Sequence, residues 1–180
     1  MTRQGRLKLR ARDPEDLRVL SACLQDALVP LADVAFLKAE QRFVLVVNRF
    51  MWEAAPEGDV LSAEVESKTE APEADDGDAR FEDAEGATPP YQRVNAGLTF
   101  DRVRSVRFRG FDARKRDEIL NLLSVEAEPG AATLSFSGGA AIRLEVAEIL
   151  CHLEDLGRPW PTRWRPHHED QAAASEAGED

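Results

Sequence analysis

Eight basic side chains crowd one stretch of this chain: Arg93, Arg102, Arg104, Arg107, Arg109, Arg114, Lys115 and Arg116. A guanidinium is planar, permanently charged and presents a fork of donors, a geometry that matches phosphate and carboxylate groups. Val106 and Phe108 have the character of core residues on a strand, which sends Arg107 and Arg109 to its opposite face at period two. Arg102 and Arg104 share the even parity of Phe100 and Val106, so a turn or bulge between Asp101 and Ser105 is needed to bring them onto the same surface. The candidate anion-binding set is therefore Arg102, Arg104, Arg107, Arg109, Arg114 and Arg116. The plain alternative is a solvated sheet face, partly neutralised by Asp101, Asp112 and Asp117.

A second recognition element lies at Pro159-Trp160-Pro161-Thr162-Arg163-Trp164-Arg165-Pro166. Its three prolines exclude a helix and bias the chain to extended or polyproline II geometry. Two readings stay open: a strap whose indoles seal the core, or a docking segment anchored by tryptophan. Of the two rings, Trp164 is the one expected to remain exposed, and it joins the candidate binding residues. His152, His167 and His168 do not fall at zinc-site spacings, so no metal ligand is assigned. The sequence holds no phosphate loop, dinucleotide fingerprint, metalloprotease helix or nucleophile elbow, so no catalytic residue and no cofactor is assigned.

The charge is unevenly spread. From Glu53 to Thr88 thirteen carboxylates face only Lys68 and Arg80, which accounts for the whole net charge of −11, and five more carboxylates sit in the tail from Glu169. The remainder holds sixteen acids against twenty-one bases. It is a mildly basic domain carrying two acidic polymers. Residues 53–88 and 167–180, rich in Glu, Asp, Ala, Gly and Pro, lack the apolar side chains to offset ordering entropy and are expected to be disordered. Residues 1–166 otherwise read as one domain. The basic N-terminus lacks a signal-peptide core, and Phe43–Val47 is too short to span a bilayer, which predicts a soluble cytoplasmic protein without membrane contact. Cys23 and Cys151 read as small buried thiols, with a disulfide between them left open.

The elements that must position these residues follow from periodicity. Arg6–Arg10 alternates as a short strand; Asp13-Pro14 caps a helix whose apolar face includes Leu17, Leu20, Leu24 and Leu28, ended by Pro30. Strands are predicted at 32–38, 42–52, 94–100, 103–108, 120–126, around Leu134 and Phe136, and from Ile142 to Val146. A last helix is predicted over 146–156, from the spacing of Ile149, Leu150, Leu153 and Leu156. The fold class is α+β: a mostly antiparallel sheet of about seven strands with an N-terminal and a C-terminal helix. It is either a curled barrel of pleckstrin-homology-like architecture or an open sheet with both helices on one face.

Several segments resemble a bacterial family known as domain of unknown function 2948: Leu7-Lys8-Leu9, Leu24-Gln25-Asp26-Ala27, Val47-Asn48-Arg49-Phe50-Met51-Trp52-Glu53, Leu98-Thr99-Phe100-Asp101, Val103-Arg104-Ser105-Val106-Arg107, Leu153-Glu154-Asp155-Leu156-Gly157 and Pro159-Trp160-Pro161-Thr162-Arg163. The resemblance implies a bacterial cytoplasmic setting and a single-domain unit, and supplies no activity or cofactor. Taken together, the chain is expected to be a non-catalytic binding or adaptor module for a protein or another anionic partner, its basic face screened by the acidic insertion. A nucleic-acid binder, most naturally of RNA, and an enzyme with an unrecognised site are the alternatives. Oligomeric state is not legible.

Overall fold

A computed structural model describes residues 6–56 and 90–166. Within them the chain forms one α-helix and ten strands: β1 (Lys8–Ala11), α1 (Pro14–Leu24), β2 (Ala27–Pro30), β3 (Val34–Leu37), β4 (Arg42–Phe50), β5 (Tyr91–Phe100), β6 (Val103–Arg109), β7 (Ile119–Glu128), β8 (Ala131–Phe136), β9 (Ala141–Val146) and β10 (Cys151–Thr162). All pairings are antiparallel. The sheet runs β1-β10-β5-β4-β2-β7-β8-β9-β6, with β3 also paired to β4. It is not closed, because β1 and β6 do not pair with each other. The expected α+β class holds in outline, with more strands and fewer helices than the sequence predicts. Of the acidic insertion only Glu53 to Pro56 is described; the rest of it and the tail from His167 lie outside the described residues.

The start of α1 follows its sequence. Asp13 caps it by accepting the Asp16 N–H at 2.8 Å, and Pro14 takes the first helical position. Leu17, Leu20 and Leu24 are buried against the sheet. The helix ends at Leu24, however, not at Pro30. Asp26 adopts φ +59°, and Ala27 and Leu28 pair with Leu122 and Asn121 of β7. Ala27 and Leu28 follow Leu24 at helical spacing, but over so few residues that spacing is equally compatible with a strand, and pairing with β7 decides it.

The predicted C-terminal helix is a strand. Cys151, Leu153 and Asp155 are buried while His152 and Glu154 are not, which is period two. Leu156, which a helix would have placed on the apolar face with Leu153, is 42% exposed. β10 lies between β1 and β5, so both of its edges are hydrogen-bonded over residues 151–154. Gly157, at φ +78°, marks a register shift beyond which β10 pairs with β5 alone.

A single apolar cluster joins these elements. Phe43, Leu45 and Val47 of β4 meet Leu98 and Phe100 of β5, Leu122 of β7, Leu134 of β8, Ile142 and Leu144 of β9, and the leucines of α1. Each such fully buried side chain contributes about 1.5–3 kcal/mol relative to exposure. Cys23 and Cys151 are both free thiols, which settles the open disulfide. No helix among the described residues is long and apolar enough to cross a membrane.

Candidate anion-binding face

The β5–β6 connection has the realigning turn that the parity argument requires. Arg102 takes φ +60° in it, and the pairing of β6 with β9 shifts register between Val103 and Ser105, so that Arg104 is the extra residue of a bulge. Beyond the bulge Val106 and Phe108 share a face with Leu144 and Ile142 of β9, and Arg107 and Arg109 project from the other. The end of β6 is fixed by Gly110 at φ +80°, where an added Cβ would lie 2.9 Å from the Ala140 backbone. Only glycine permits that approach of β6 to the β8–β9 turn.

On this outer face Arg107 stands directly opposite Arg143 of β9, and Arg143 opposite Thr133 of β8. Directly opposed side chains have Cβ atoms about 4.5–5.5 Å apart, and like charges so placed repel. The repulsion is relieved from the flanks. Arg107 pairs with Glu145 at 2.8 Å, while Arg143 binds Glu128 and lies 3.5 Å from the Thr133 hydroxyl. Its hydrogen bond from Arg143 holds the Glu128 carboxyl below the usual glutamate range. Arg109 has no ion pair among the described residues. Arg107, Arg109 and Arg143, with Phe108, Glu128, Thr133 and Ala141, line an open concavity of about 480 Å³. The lining of the concavity sets three guanidiniums against Glu128 alone, with Glu145 and Glu126 further along the same sheet face, and so keeps spare donors and local positive charge suited to an incoming carboxylate or phosphate.

The other sequence candidates are dispersed. Arg102 pairs with Glu148 at 2.6 Å, and Arg104 is exposed on the bulge. Arg114 lies on the β6–β7 loop, 3.5 Å from Asp112. Arg116 has a structural task, donating to the Val34 carbonyl at 3.3 Å and the Ala32 carbonyl at 2.5 Å along the open side of β3. Trp164 is 81% exposed beyond the end of β10, remote in sequence from the arginine face; Trp160, within β10, is 36% exposed. Arg93 donates to the Asn48 carbonyl and side chain and sits over the Phe50 ring, 5.8 Å from its centroid. Burial lowers its pKa from the ordinary arginine value.

Sequence reasoning missed Arg143, which comes from β9. Its alternation with Ile142 and Leu144 was legible as an outward position, but the pairing of β9 with β6 was not. It also missed Arg49. This side chain, 0% exposed, donates to Asp155 from Nε at 2.7 Å and Nη2 at 2.8 Å, and to Glu53 from Nη2 at 2.7 Å and Nη1 at 3.1 Å. Asp155 further accepts the Leu7 N–H at 3.1 Å. Burial works to discharge Arg49, but the hydrogen bonds to Asp155 and Glu53 outweigh it and hold its pKa above the ordinary arginine value. Glu53, assigned by sequence to the acidic insertion, is thus a member of this cluster. Nearby, Trp52 donates from Nε1 to the Gln25 carbonyl at 3.1 Å. The segments at 24–27, 47–53 and 153–157, distant in sequence, therefore meet around one ion cluster.

Burial raises the pKa of both thiols; at Cys23 the charge of Arg49 opposes it. Among the described residues no group of three or more His, Cys, Asp or Glu side chains converges as a metal site would require. A family model described as protein of unknown function (DUF2948) matches residues 7–168, and the chain belongs to that family. Neither a curated protein nor a solved structure gave a match.

Proposed function

We propose that this family member is a non-catalytic binding module of the bacterial cytoplasm that receives an anionic partner on the outer face of β6, β9 and β8. The observation that carries the reading is the Arg107–Arg143 pair. Two cations set directly opposite each other across a ladder work against the stability of the sheet, and local rules are broken in this way at functional sites. Their flanking carboxylates are exposed and exchangeable, so an incoming anion can replace Glu145 or Glu128 without burying an unpaired charge.

The acidic insertion is the natural internal competitor. Its roots adjoin Glu53 and Tyr91, whereas β6 begins at the opposite end of β5, about 33 Å away at strand rise. The roughly thirty residues between 57 and 89 are long enough to cover that span, at most about 3.3–3.6 Å each. Competition of this kind weakens with salt, since screening acts over about 8–10 Å near physiological ionic strength.

The test is affinity capture from native cells with the full chain, with Arg107→Glu/Arg109→Glu, and with residues 57–88 replaced by a short Gly-Ser linker, each with and without nuclease. Cutting at 57 rather than 53 keeps Glu53 on Arg49. A protein that survives nuclease, is lost with the charge reversal and is enriched by the deletion supports the reading. Nuclease-sensitive recovery would replace it with RNA binding, and recovery unaffected by the charge reversal would remove the arginine face from the function.

A further inference from the structure

We propose that the free edge of β6 takes up an extended peptide as an added antiparallel or parallel strand, and that this peptide alternates carboxylate and apolar side chains. The inference deepens the binding-module reading and rests on it, naming the chemistry of the partner.

β6 is the last strand of the sheet path and pairs only with β9. Among the described residues, its other edge is engaged at its start alone, where the Val103 N–H donates to the Gln41 carbonyl at 2.7 Å. A row of unused main-chain donors and acceptors is a template for one more strand. Native proteins blunt such edges with prolines, and the second half of β10 has Pro159 and Pro161 for that purpose. β6 has no proline.

The side chains of β6 specify what fits. Arg107 and Arg109 point to the basic concavity of about 480 Å³. Phe108, between them, also lines a separate cavity of about 300 Å³ with Leu31, Val34, Phe36, Phe43, Ala113 and Arg116, whose guanidinium is held on the Val34 and Ala32 carbonyls. Phe108 is 43% exposed although its strand neighbours on that face, Ile142 and Leu144, are buried. The edge therefore runs between a cationic concavity on one face and, on the other, a mainly apolar one with Arg116 on its wall. Successive side chains of an added strand point alternately to the two faces. Carboxylates at every second position would meet Arg107 and Arg109, with Arg143 one strand further in, and apolar side chains between them would enter the cavity beside Phe108 and Phe36. Neither a polyanion without apolar side chains nor a folded acidic surface would use both concavities.

The probe is a fluorescent synthetic peptide of about seven residues, a usual strand length, alternating glutamate and valine. Fluorescence anisotropy reads its binding to the wild-type full chain, so the peptide comparisons need no protein variant. A peptide of identical composition with its glutamates and valines in separate blocks is the control, and two further peptides are N-methylated at either the odd or the even amides. The alternating peptide is expected to bind at least tenfold tighter than the block peptide. One methylation phase should cost at least tenfold and the other almost nothing, since only one set of amides faces the edge. Equal binding of alternating and block peptides would overturn strand addition while leaving an anion-binding face in place. Equal effects of both methylation phases would overturn it as well, and binding of no peptide at low salt would remove both readings. The chain's own Glu64-Val65-Glu66 has the same alternation. Tighter peptide binding after Glu64→Ala/Glu66→Ala would overturn assignment of the edge to a separate partner.

Discussion

Arg49 and Arg107 both meet carboxylates, yet the two arrangements leave different things over. Around Arg49 the guanidinium is fully buried, its four hydrogen bonds end on buried Asp155 and on Glu53, whose side chain is 43% exposed, and Asp155 also accepts a backbone N–H. Around Arg107 each carboxylate is substantially exposed, a second arginine faces the first, and Arg109 is unpaired among the described residues. A buried guanidinium committed to a buried carboxylate holds elements together; an exposed one with donors to spare is available to a partner. Arginine number in the sequence does not separate the two cases, but burial and donor saturation do.

The sharpest way to break this contrast is at Arg49. Arg49→Met leaves Asp155 buried without its counter-charge and is expected to cost about 3–5 kcal/mol, read by urea denaturation. Adding Asp155→Leu should recover much of that loss, because no buried charge is then stranded. A single variant as stable as the parent would show that the cluster does not hold β4 to β10. Reversal of Arg107 and Arg109 should do the opposite. Folding stability should move by less than about 1 kcal/mol, while capture of the anionic partner falls by at least tenfold.

Smaller effects sharpen the boundary of the Arg49 cluster. Trp52→Phe keeps a ring to pack on Phe50 but removes the donor to the Gln25 carbonyl, with an expected loss of about 1 kcal/mol in denaturation. The smallest effect belongs to the exposed face. The Glu128 carboxyl should titrate by NMR below the ordinary value of 4.5, and Arg143→Ala should return its midpoint toward that value. A carboxyl depressed on folding stabilises above its unfolded pKa, and that contribution disappears as pH falls through the folded pKa. The parent should therefore lose slightly more stability than Glu128→Gln on acidification below about pH 4.5. An unshifted midpoint would mean that the Arg143–Glu128 contact is not maintained in solution.

Local signals were readable where they decide structure locally. Asp13-Pro14 announced α1, and the parity conflict around Asp101–Ser105 announced the turn and bulge, although these leave Arg102 on Glu148 and Arg104 on the bulge rather than in the concavity with Arg107 and Arg109. Non-local pairing was not readable. Leu150, Leu153 and Leu156 fit a helix as well as they fit anything, and only the partners on β1 and β5 make that segment a strand. Arg49 looks out of place after the apolar run of β4 until Asp155, more than a hundred residues later, is seen to meet it. Arg143 joined the candidate face for the same reason: strand order, which sequence spacing does not encode, placed β9 beside β6.

The β4–β5 pairing holds its two chain ends firmly just where the acidic stretch departs, through the Phe50–Arg93 register and the Met51 N–H to Gln92 carbonyl bond at 2.9 Å. Between ends already clamped together, each doubling of loop length costs only about 0.6 kcal/mol in closure entropy. Length at this junction is thus nearly free to drift over generations, and the same property makes it a port. A reporter protein with neighbouring termini could be spliced between residues 57 and 88, leaving the sheet and its arginine face to assemble around it.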